Sequence, residues 1–245
     1  MRFAAIADIH GNALALEAVL ADIAAQGISD VVNLGDHFSG PLDAGRTADI
    51  LMARGDLAIC GNHDRWLIEQ SPDQMGISDL AAHQKLGAHH LDWLRALPAT
   101  ATRDDVFLCH GTPGSDTTYW LEAVAPDGTV HGAPRADFER RADGISQSLI
   151  LCAHTHLPRS VHLTGNRMIV NPGSVGCPGY TDDAPVFHKV ESGSPDARYA
   201  ILEHASGRWS VTFRNVPYDH MAAAQMAENA GRPDWASALA TGWID

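Results

Sequence analysis

Short apolar runs alternate with stretches of helical periodicity through the first part of the chain. Three runs predict strands, at 2–7, 30–34 and 56–60. Between the first two, Leu16, Val19, Leu20 and Ile23 repeat at i, i+3, i+4 and i+7, which predicts a helix over 13–26. A second helix is predicted over 43–53. The order strand, helix, strand, helix, strand is typical of parallel βαβ units, and it places the chain in the α/β class.

The rest of the chain predicts mostly strands, with helices at 78–96, 135–143 and from about 219 onward. The predicted strands are 99–103, 106–110, 148–153, 160–164, 167–171, 198–204 and 208–214. Residues 111–133 are rich in Gly, Pro, Thr and Asp, and we interpret them as a long loop that forms a lid. Residues 171–197 show no regular pattern. Because no repeat, low-complexity tract or linker interrupts the chain, we expect a single domain over 1–245.

Charge and cysteine usage narrow the class of ligand and the compartment. With 17 basic and 30 acidic residues the formal charge is −13, which argues against binding long nucleic acids. A small phosphorylated substrate stays compatible, because a bound metal can supply positive charge locally. Four cysteines without a C-x-x-C pattern suit a reducing cytoplasm. Asp8 and His10 interrupt the apolar N-terminus, so we expect neither a signal peptide nor a membrane span.

Polar residues follow five of the predicted strands at the point where each strand ends. They are Asp8-Ile9-His10, Gly35-Asp36, Gly61-Asn62-His63-Asp64, His110-Gly111 and His154-Thr155-His156. In an open α/β sheet that edge is where ligands bind. Alternation along extended backbone predicts that Asp8 and His10 share one side, as do His154 and His156. Each motif alone also fits a surface turn, but the five together favour a site for Mn, Fe, Zn or Ni.

These motifs resemble those of the calcineurin-like metallophosphoesterases. NPGSVG at 171–176 and RYAILE at 198–203 further resemble a small bacterial phosphodiesterase-like branch of that family. The resemblance implies a four-layer α/β/β/α sandwich of two mixed sheets that holds two divalent transition-metal ions. It implies a first metal bound by Asp8, His10, Asp36 and His156, and a second bound by Asp36, Asn62, His110 and His154.

The same resemblance implies a hydrolytic mechanism. A hydroxide that bridges the two metals would attack the phosphorus of a phosphodiester or phosphomonoester, which includes nucleotides as candidate substrates. His63 would face the scissile phosphate and stabilise the transition state or protonate the leaving oxygen, and Asp64 would orient His63. A non-catalytic scaffold, or a sensor that binds a metal or a nucleotide without turnover, is the alternative. Because every ligand position is filled, hydrolysis is favoured.

Substrate choice is expected to lie in three segments that border the site, 35–42, 110–122 and 177–197. Tyr119, Asp116 and Arg159 are the candidate substrate contacts, although core packing for Tyr119 and a surface position for Arg159 are also compatible with the sequence. The GSVG of 173–176 suggests backbone N–H groups for a phosphate, but it lacks the Lys and the helix of a P-loop. Ala153 stands where the family usually has Gly, which predicts local backbone strain.

Overall fold

The computed structural model describes residues 1–245 as an α/β protein with two five-stranded mixed sheets. The strands are β1 (Arg2–Ile6), β2 (Val31–Asn33), β3 (Leu57–Ala58), β4 (Thr100–Arg103), β5 (Val106–Cys109), β6 (Glu122–Val124), β7 (Val130–Gly132), β8 (Leu149–Leu151), β9 (Arg159–His162), β10 (Met168–Asn171), β11 (Gly179–Asp182), β12 (His188–Glu191), β13 (Ala197–Ala205) and β14 (Arg208–Val216). The helices are α1 (Ala13–Ala25), α2 (Ala44–Arg54), α3 (Asn62–Glu69), α4 (Ile77–His83), α5 (Ala88–Arg95), α6 (Arg135–Arg141), α7 (His220–Asn229) and α8 (Pro233–Thr241).

Each large sheet has a parallel centre and antiparallel neighbours. The first has the order β14-β13-β1-β2-β3, in which β1, β2 and β3 are parallel and β13 and β14 are antiparallel additions. The second has the order β4-β5-β8-β10-β9, in which β5, β8 and β10 are parallel. The predicted βαβ units are therefore confirmed, with α1 and α2 as their crossover helices.

Apolar side chains pack in layers that account for the sandwich. Between the sheets, residues such as Phe3 and Val32 pack with Leu108 and Leu151 of the second sheet. On the outer face of the first sheet, α1 buries the stripe read from the sequence, while α6 covers the second sheet through Phe138. The arrangement is the four-layer α/β/β/α sandwich that the resemblance implied. No helix is both long and apolar enough to cross a membrane.

Three local predictions were wrong. The helix predicted over 78–96 is two helices, α4 and α5, and Gly87 is the N-cap of the second. In addition, helix α3, which the sequence did not predict, starts at Asn62 with Gly61 as its N-cap. The segment 111–133 contains the hairpin β6–β7, and the segment 171–197 contains the hairpin β11–β12. The first hairpin turns at Pro126-Asp127-Gly128, with Gly128 at φ 85°, a turn signal present in the sequence.

Candidate metal centre and substrate cavity

The turns that follow the strands hold most of the predicted metal ligands in left-handed backbone conformation. The φ angles of Asp8, His10, Asp36, His154 and His156 are 52°, 51°, 56°, 71° and 59°. Alternation along an extended strand is therefore not what brings Asp8 to His10 or His154 to His156. Left-handed conformation is unfavourable for residues other than Gly, and it persists where the surroundings enforce it, commonly at functional sites. Ala153 does not have positive φ, so the expected strain at that position is absent.

The loop at 171–176 holds the first of these turns in place. Val175 N–H donates to Ala7 O at 2.9 Å, Gly176 N–H to Asp8 O at 3.0 Å, and the Ser174 hydroxyl to Asp8 O at 2.7 Å. A Cβ on Gly176 would lie 1.7 Å from Ile9 O, so only glycine fits there. Because these N–H groups are already used by the Asp8 turn, the alternative interpretation of GSVG as a phosphate-binding loop was wrong.

Two groups of side chains converge where these turns meet. One is Asp8, His10 and His156, the other is Asp36, His110 and His154, and within each group the ligand atoms lie within 4.8 Å of one another. Asp36 Oδ2 joins them, because it lies 3.2 Å from His110 Nε2 and 4.0 Å from His10 Nε2. Asn62, the remaining predicted ligand, starts α3 and lines the same cavity.

Buried polar atoms without partners test whether these residues suit a metal. Both carboxylate oxygens of Asp8 and the Oδ1 atom of Asn62 are buried without a hydrogen-bond donor. Leaving such a group unsatisfied costs about 1–3 kcal/mol. The Nε2 atoms of His10 and His156 lie 3.2 Å apart. A cation that accepts lone pairs from all of these atoms would satisfy them together, so the residues fit a metal.

The imidazoles are oriented for metal binding by backbone carbonyl groups. The Nδ1 atoms of His10, His110 and His156 lie 2.8, 2.7 and 2.7 Å from the carbonyl oxygens of Ser39, Leu34 and Cys177. A carbonyl only accepts, so each Nδ1 carries a proton and Nε2 is the ring atom that faces the centre. These carbonyl partners belong to loops distant in sequence from the histidines that they orient.

Electrostatics divides the site into neutral and charged groups. Burial lowers the pKa of His10 to about 4 and that of His154 to about 3, so both imidazoles are neutral at pH 7. Burial raises the pKa of Asp8 to about 8. Burial also acts to raise the pKa of Asp36, but the neighbouring His110 and His63 hold it well below its ordinary value. A proton shared among buried acids and imidazoles is what a metal ion displaces when it binds.

His63 is oriented by Asp79, and the prediction that Asp64 does so was wrong. His63 Nδ1 lies 2.7 Å from Asp79 Oδ1, and Asp79 is a buried residue of α4. Burial acts to lower the pKa of His63, yet Asp36 and Asp79 raise it above its ordinary value. Consecutive residues of a helix point about 100° apart, so Asp64 cannot face its neighbour in α3. No motif in the sequence marks Asp79 as the partner.

Asp64 instead fixes the turn that carries Asp36. Its carboxylate accepts the backbone N–H groups of Asp36, His37 and Gly61 at 2.8, 2.9 and 2.9 Å. It also contacts His37 Nδ1 at 2.7 Å. A Cβ on Gly61 would lie 2.2 Å from Asp36 Oδ1, so Gly61 is required for this close approach.

A buried network that the sequence did not reveal supports His154-Thr155-His156. Glu122 Oε2 accepts the Thr155 hydroxyl at 2.7 Å, and Asn171 Nδ2 donates to Thr155 Oγ1 and to Ala153 O, both at 3.0 Å. Glu122 is 2 % exposed. Arg159 Nε donates to the other oxygen of Glu122 at 2.7 Å. The structure therefore places Arg159 behind the metal ligands and not on the cavity wall.

The metal centre forms the floor of a cavity of about 840 Å³. Its floor includes His10, Asp36, Asn62, His63, His154 and His156, and its aromatic walls are Trp66, Tyr119, Tyr180 and Trp235. Tyr119, a candidate substrate contact, lines the cavity, whereas Asp116 is bound to Arg65 at 2.7 and 2.9 Å and does not line it. Trp235 comes from α8, and its ring packs 5.9 Å from that of His10. The C-terminal helices therefore complete the site.

The two tyrosines are fixed by a chain of hydrogen bonds. His188 Nδ1 lies 2.8 Å from Val186 O and donates to it, so Nε2 accepts the Tyr119 hydroxyl at 3.0 Å. The Tyr180 hydroxyl in turn donates to that of Tyr119 at 2.7 Å. His188 and Tyr180 belong to the β11–β12 hairpin, so the unusual segment 177–197 reaches the cavity.

The fold and the site together define a metal-dependent phosphoesterase class. The chain belongs to the calcineurin-like phosphoesterase superfamily, whose domain model matches residues 1–193. It is 26% identical to a metallophosphoesterase from Sphaerobacter thermophilus, with a TM-score of 0.77 and 99% of each chain covered. An uncharacterized protein of Methanocaldococcus jannaschii is 25% identical, over 95% of this chain and 94% of its own length. A hypothetical protein from Pyrococcus horikoshii OT3 shares the fold at 19% identity, with a TM-score of 0.71, over 100% of this chain and 99% of its own.

Proposed function

We propose that this protein is a dinuclear metal-dependent hydrolase of small phosphodiesters or phosphomonoesters, nucleotides included. The observation that carries the proposal is the pair of buried His/Asp groups joined through Asp36 at the floor of one large cavity. Asp8, His10 and His156 would hold the first ion, His110, His154 and Asn62 the second, and Asp36 both. Bound Mn, Fe, Zn or Ni would act as a Lewis acid toward phosphoryl oxygens and lower the pKa of a bound water.

The residues around the metals have separable tasks. The neutral His10 and His154 present lone pairs without having to lose a proton first. His63 lines the cavity floor next to Asn62, with its ring centroid 5.5 Å from that of His10. Because Asp79 binds Nδ1, the other ring nitrogen, Nε2, is free to give a proton to the departing oxygen.

The four cysteines are free thiols, three of them buried, and we include a cytoplasmic location in the proposal on that basis. A sensor that binds a nucleotide without hydrolysing it would use the same cavity. The presence of His63 and Asp79, which a binding protein does not need, favours hydrolysis.

The proposal is tested by metal analysis together with a panel of phosphoesters. We expect protein purified without chelator and reloaded with Mn²⁺ to approach two ions per chain and to hydrolyse at least one ester class. A metal content near zero under saturating Mn²⁺, Zn²⁺ and Fe²⁺ would refute the metal centre. Full metal loading and tight nucleotide binding without any turnover would favour the sensor.

A further inference from the structure

Two arginines line the cavity, and only one of them is neutralised. Arg232 contacts both carboxylate oxygens of Asp234 at 2.9 and 2.6 Å, and a third nitrogen reaches the Ser78 hydroxyl at 2.8 Å. Arg141 forms no ion pair with any carboxylate of the chain. Asp137, which also lines the cavity one turn earlier in α6, is bound to Arg140 at 2.8 Å. After Arg140, the charge of Arg141 also helps to lower the pKa of Asp137, but no carboxylate forms an ion pair with the Arg141 guanidinium, which stays available on the cavity wall.

The position of Arg141 is fixed relative to the metal centre. One of its terminal nitrogens donates to the backbone carbonyl of Tyr119, and the ring of Tyr119 packs 5.2 Å from that of the metal ligand His154. A guanidinium carries five N–H donors, so most of its donors stay available after this contact. Holding the guanidinium in place reduces the entropy lost when an anion binds to it.

The size of the cavity indicates a ligand larger than a single phosphoryl group. Drug-sized ligands occupy pockets of about 300–1,000 Å³, and this cavity has about 840 Å³ with four aromatic side chains on its walls. We propose that Arg141 binds a second anionic group of the substrate while another phosphoryl group lies at the metals. The preferred substrates are then phosphoesters with an aromatic moiety and a further phosphate or carboxylate. This inference rests on the proposed function.

Asp182 is another charged residue on the cavity wall without an ion-pair partner, and its charge is opposite to that of Arg141. Asp182, in β11, lines the cavity and accepts the Ala184 N–H at 2.9 Å, but it contacts no cation. If the distal group of the substrate were cationic, Asp182 would attract it and Arg141 would repel it. The two residues therefore predict opposite effects for the two kinds of substrate.

The experiment compares pairs of substrates that differ by one phosphate. The first pair is AMP and adenosine 3′,5′-bisphosphate, and the second is thymidine 5′-(4-nitrophenyl phosphate) with and without a 3′-phosphate. With wild-type protein and Mn²⁺ we expect a higher kcat/KM for the member with the extra phosphate. Arg141→Ala should reduce that preference about 10- to 100-fold, the value of a charge-assisted hydrogen bond. Arg141→Lys should restore part of it.

Arg135→Ala is the matched control, because Arg135 belongs to the same helix, is 71% exposed and, like its partner Glu139, does not line the cavity. It should leave the preference unchanged. An unchanged preference in Arg141→Ala, or an equal loss on both members of a pair, would overturn the inference. A stronger preference for the extra phosphate in Arg141→Ala would also overturn the inference, because Arg141 would then oppose the distal anion.

Calorimetric titration separates failure of this inference from failure of the proposed function. If metal-loaded protein hydrolyses none of the four esters, the proposed function fails for these classes, but binding still reports on Arg141. We then expect adenosine 3′,5′-bisphosphate to bind more tightly than AMP to the wild type, and with nearly equal affinity to Arg141→Ala. Equal affinities for the wild type would refute the anion site even if turnover is observed.

Discussion

The contact between His63 and Asp79 leads to the most specific prediction about catalysis. Asp79 belongs to α4, and its side chain is 4% exposed. Its carboxylate oxygen Oδ1 lies 2.7 Å from His63 Nδ1. In the proposed reaction this contact fixes the ring and its tautomer, so that Nε2 faces the cavity. The change Asp79→Asn keeps the shape of the side chain but removes its charge.

The size of the effect follows from the kind of bond that is lost. A hydrogen bond to a charged group contributes about 1.5–3 kcal/mol, which corresponds to about 10- to 150-fold in rate if it acts in the transition state. General acid catalysis as a whole contributes about 10²–10⁴-fold. We therefore expect Asp79→Asn to lower kcat about 10- to 150-fold on alkyl phosphoesters, which is less than the loss in His63→Ala.

The assay is the ratio of losses on two classes of leaving group. An alkoxide, such as a ribose oxygen, needs a proton to depart, whereas nitrophenolate leaves readily without one. Asp79→Asn should therefore cost much more on alkyl esters than on nitrophenyl esters, with metal content unchanged. Asp49→Asn is the matched control, because Asp49 also contacts a histidine, His90, at 3.1 Å, but away from the cavity.

Three outcomes would refute this reasoning in different ways. An equal loss on both ester classes would mean that His63 acts on the phosphoryl oxygens and not on the leaving group. A parallel loss of bound metal would mean that the contact supports the metal site. Wild-type rates on both classes would mean that the carboxylate of Asp79 does not contribute to the reaction.

Three further predictions concern the bridge, its support and the fold. Asp36→Asn should abolish turnover and reduce the bound metal at both sites while the circular dichroism spectrum is retained; near wild-type turnover would exclude a shared ligand. Glu122→Gln should weaken metal binding, measured by competition with a chelator, about tenfold, and an unchanged metal affinity would exclude support of the His154 turn by Glu122. Asp22 is bound by Arg214 at 2.8 Å and by the Tyr199 hydroxyl at 2.6 Å, and chiefly the hydrogen bond from Arg214 lowers its pKa. A carboxyl pKa that is lower in the folded than in the unfolded state stabilises the fold at pH values above the unfolded-state pKa, and this stabilisation is lost as the pH falls. Asp22→Asn should therefore reduce the free energy of unfolding by roughly 0.5–1 kcal/mol at pH 7 and by progressively less below about pH 4. A reduction that stays constant with pH would contradict this prediction.

The parallel strands and their crossover helices could be predicted because each is encoded by a local pattern. Phe3, Ala4, Ala5 and Ile6 of β1 are all fully buried, so the strand reads as an uninterrupted apolar run. The sheet edge at which such strands end is fixed by topology, which is why the ligands of five separate turns could be grouped before any geometry was known. The short hairpins β6–β7 and β11–β12 lack such runs, since their strands lie largely outside the main sheets.

The partners that orient the residues of the site could not be predicted, because they come from elements remote in sequence. Asp79 is 16 positions from His63, and Glu122 is 33 positions from Thr155. Proximity in sequence led to a wrong prediction, namely that Asp64 orients His63. The two residues are consecutive at the start of α3, where the helix directs their side chains apart. A motif specifies which atoms reach the centre, whereas the fold specifies which atoms restrain them.

The same distinction explains where this chain can differ from its relatives without losing its chemistry. The left-handed turns of Asp8, Asp36 and His154 are each enforced by a separate support, namely the 171–176 loop, the Asp64 carboxylate and the network of Glu122. Of these supports, the 171–176 loop and Asp64 do not line the cavity, whereas Glu122 lines it together with Tyr119, Tyr180 and Arg141. The side chains of Tyr119 and Arg141 form no hydrogen bond to a ligand turn, so substitutions there are expected to change which ester binds while the metal centre stays intact. Tyr180 differs, because its hydroxyl lies 3.3 Å from His154 O. The β11–β12 hairpin and α6 are therefore the elements in which substrate preference is expected to reside.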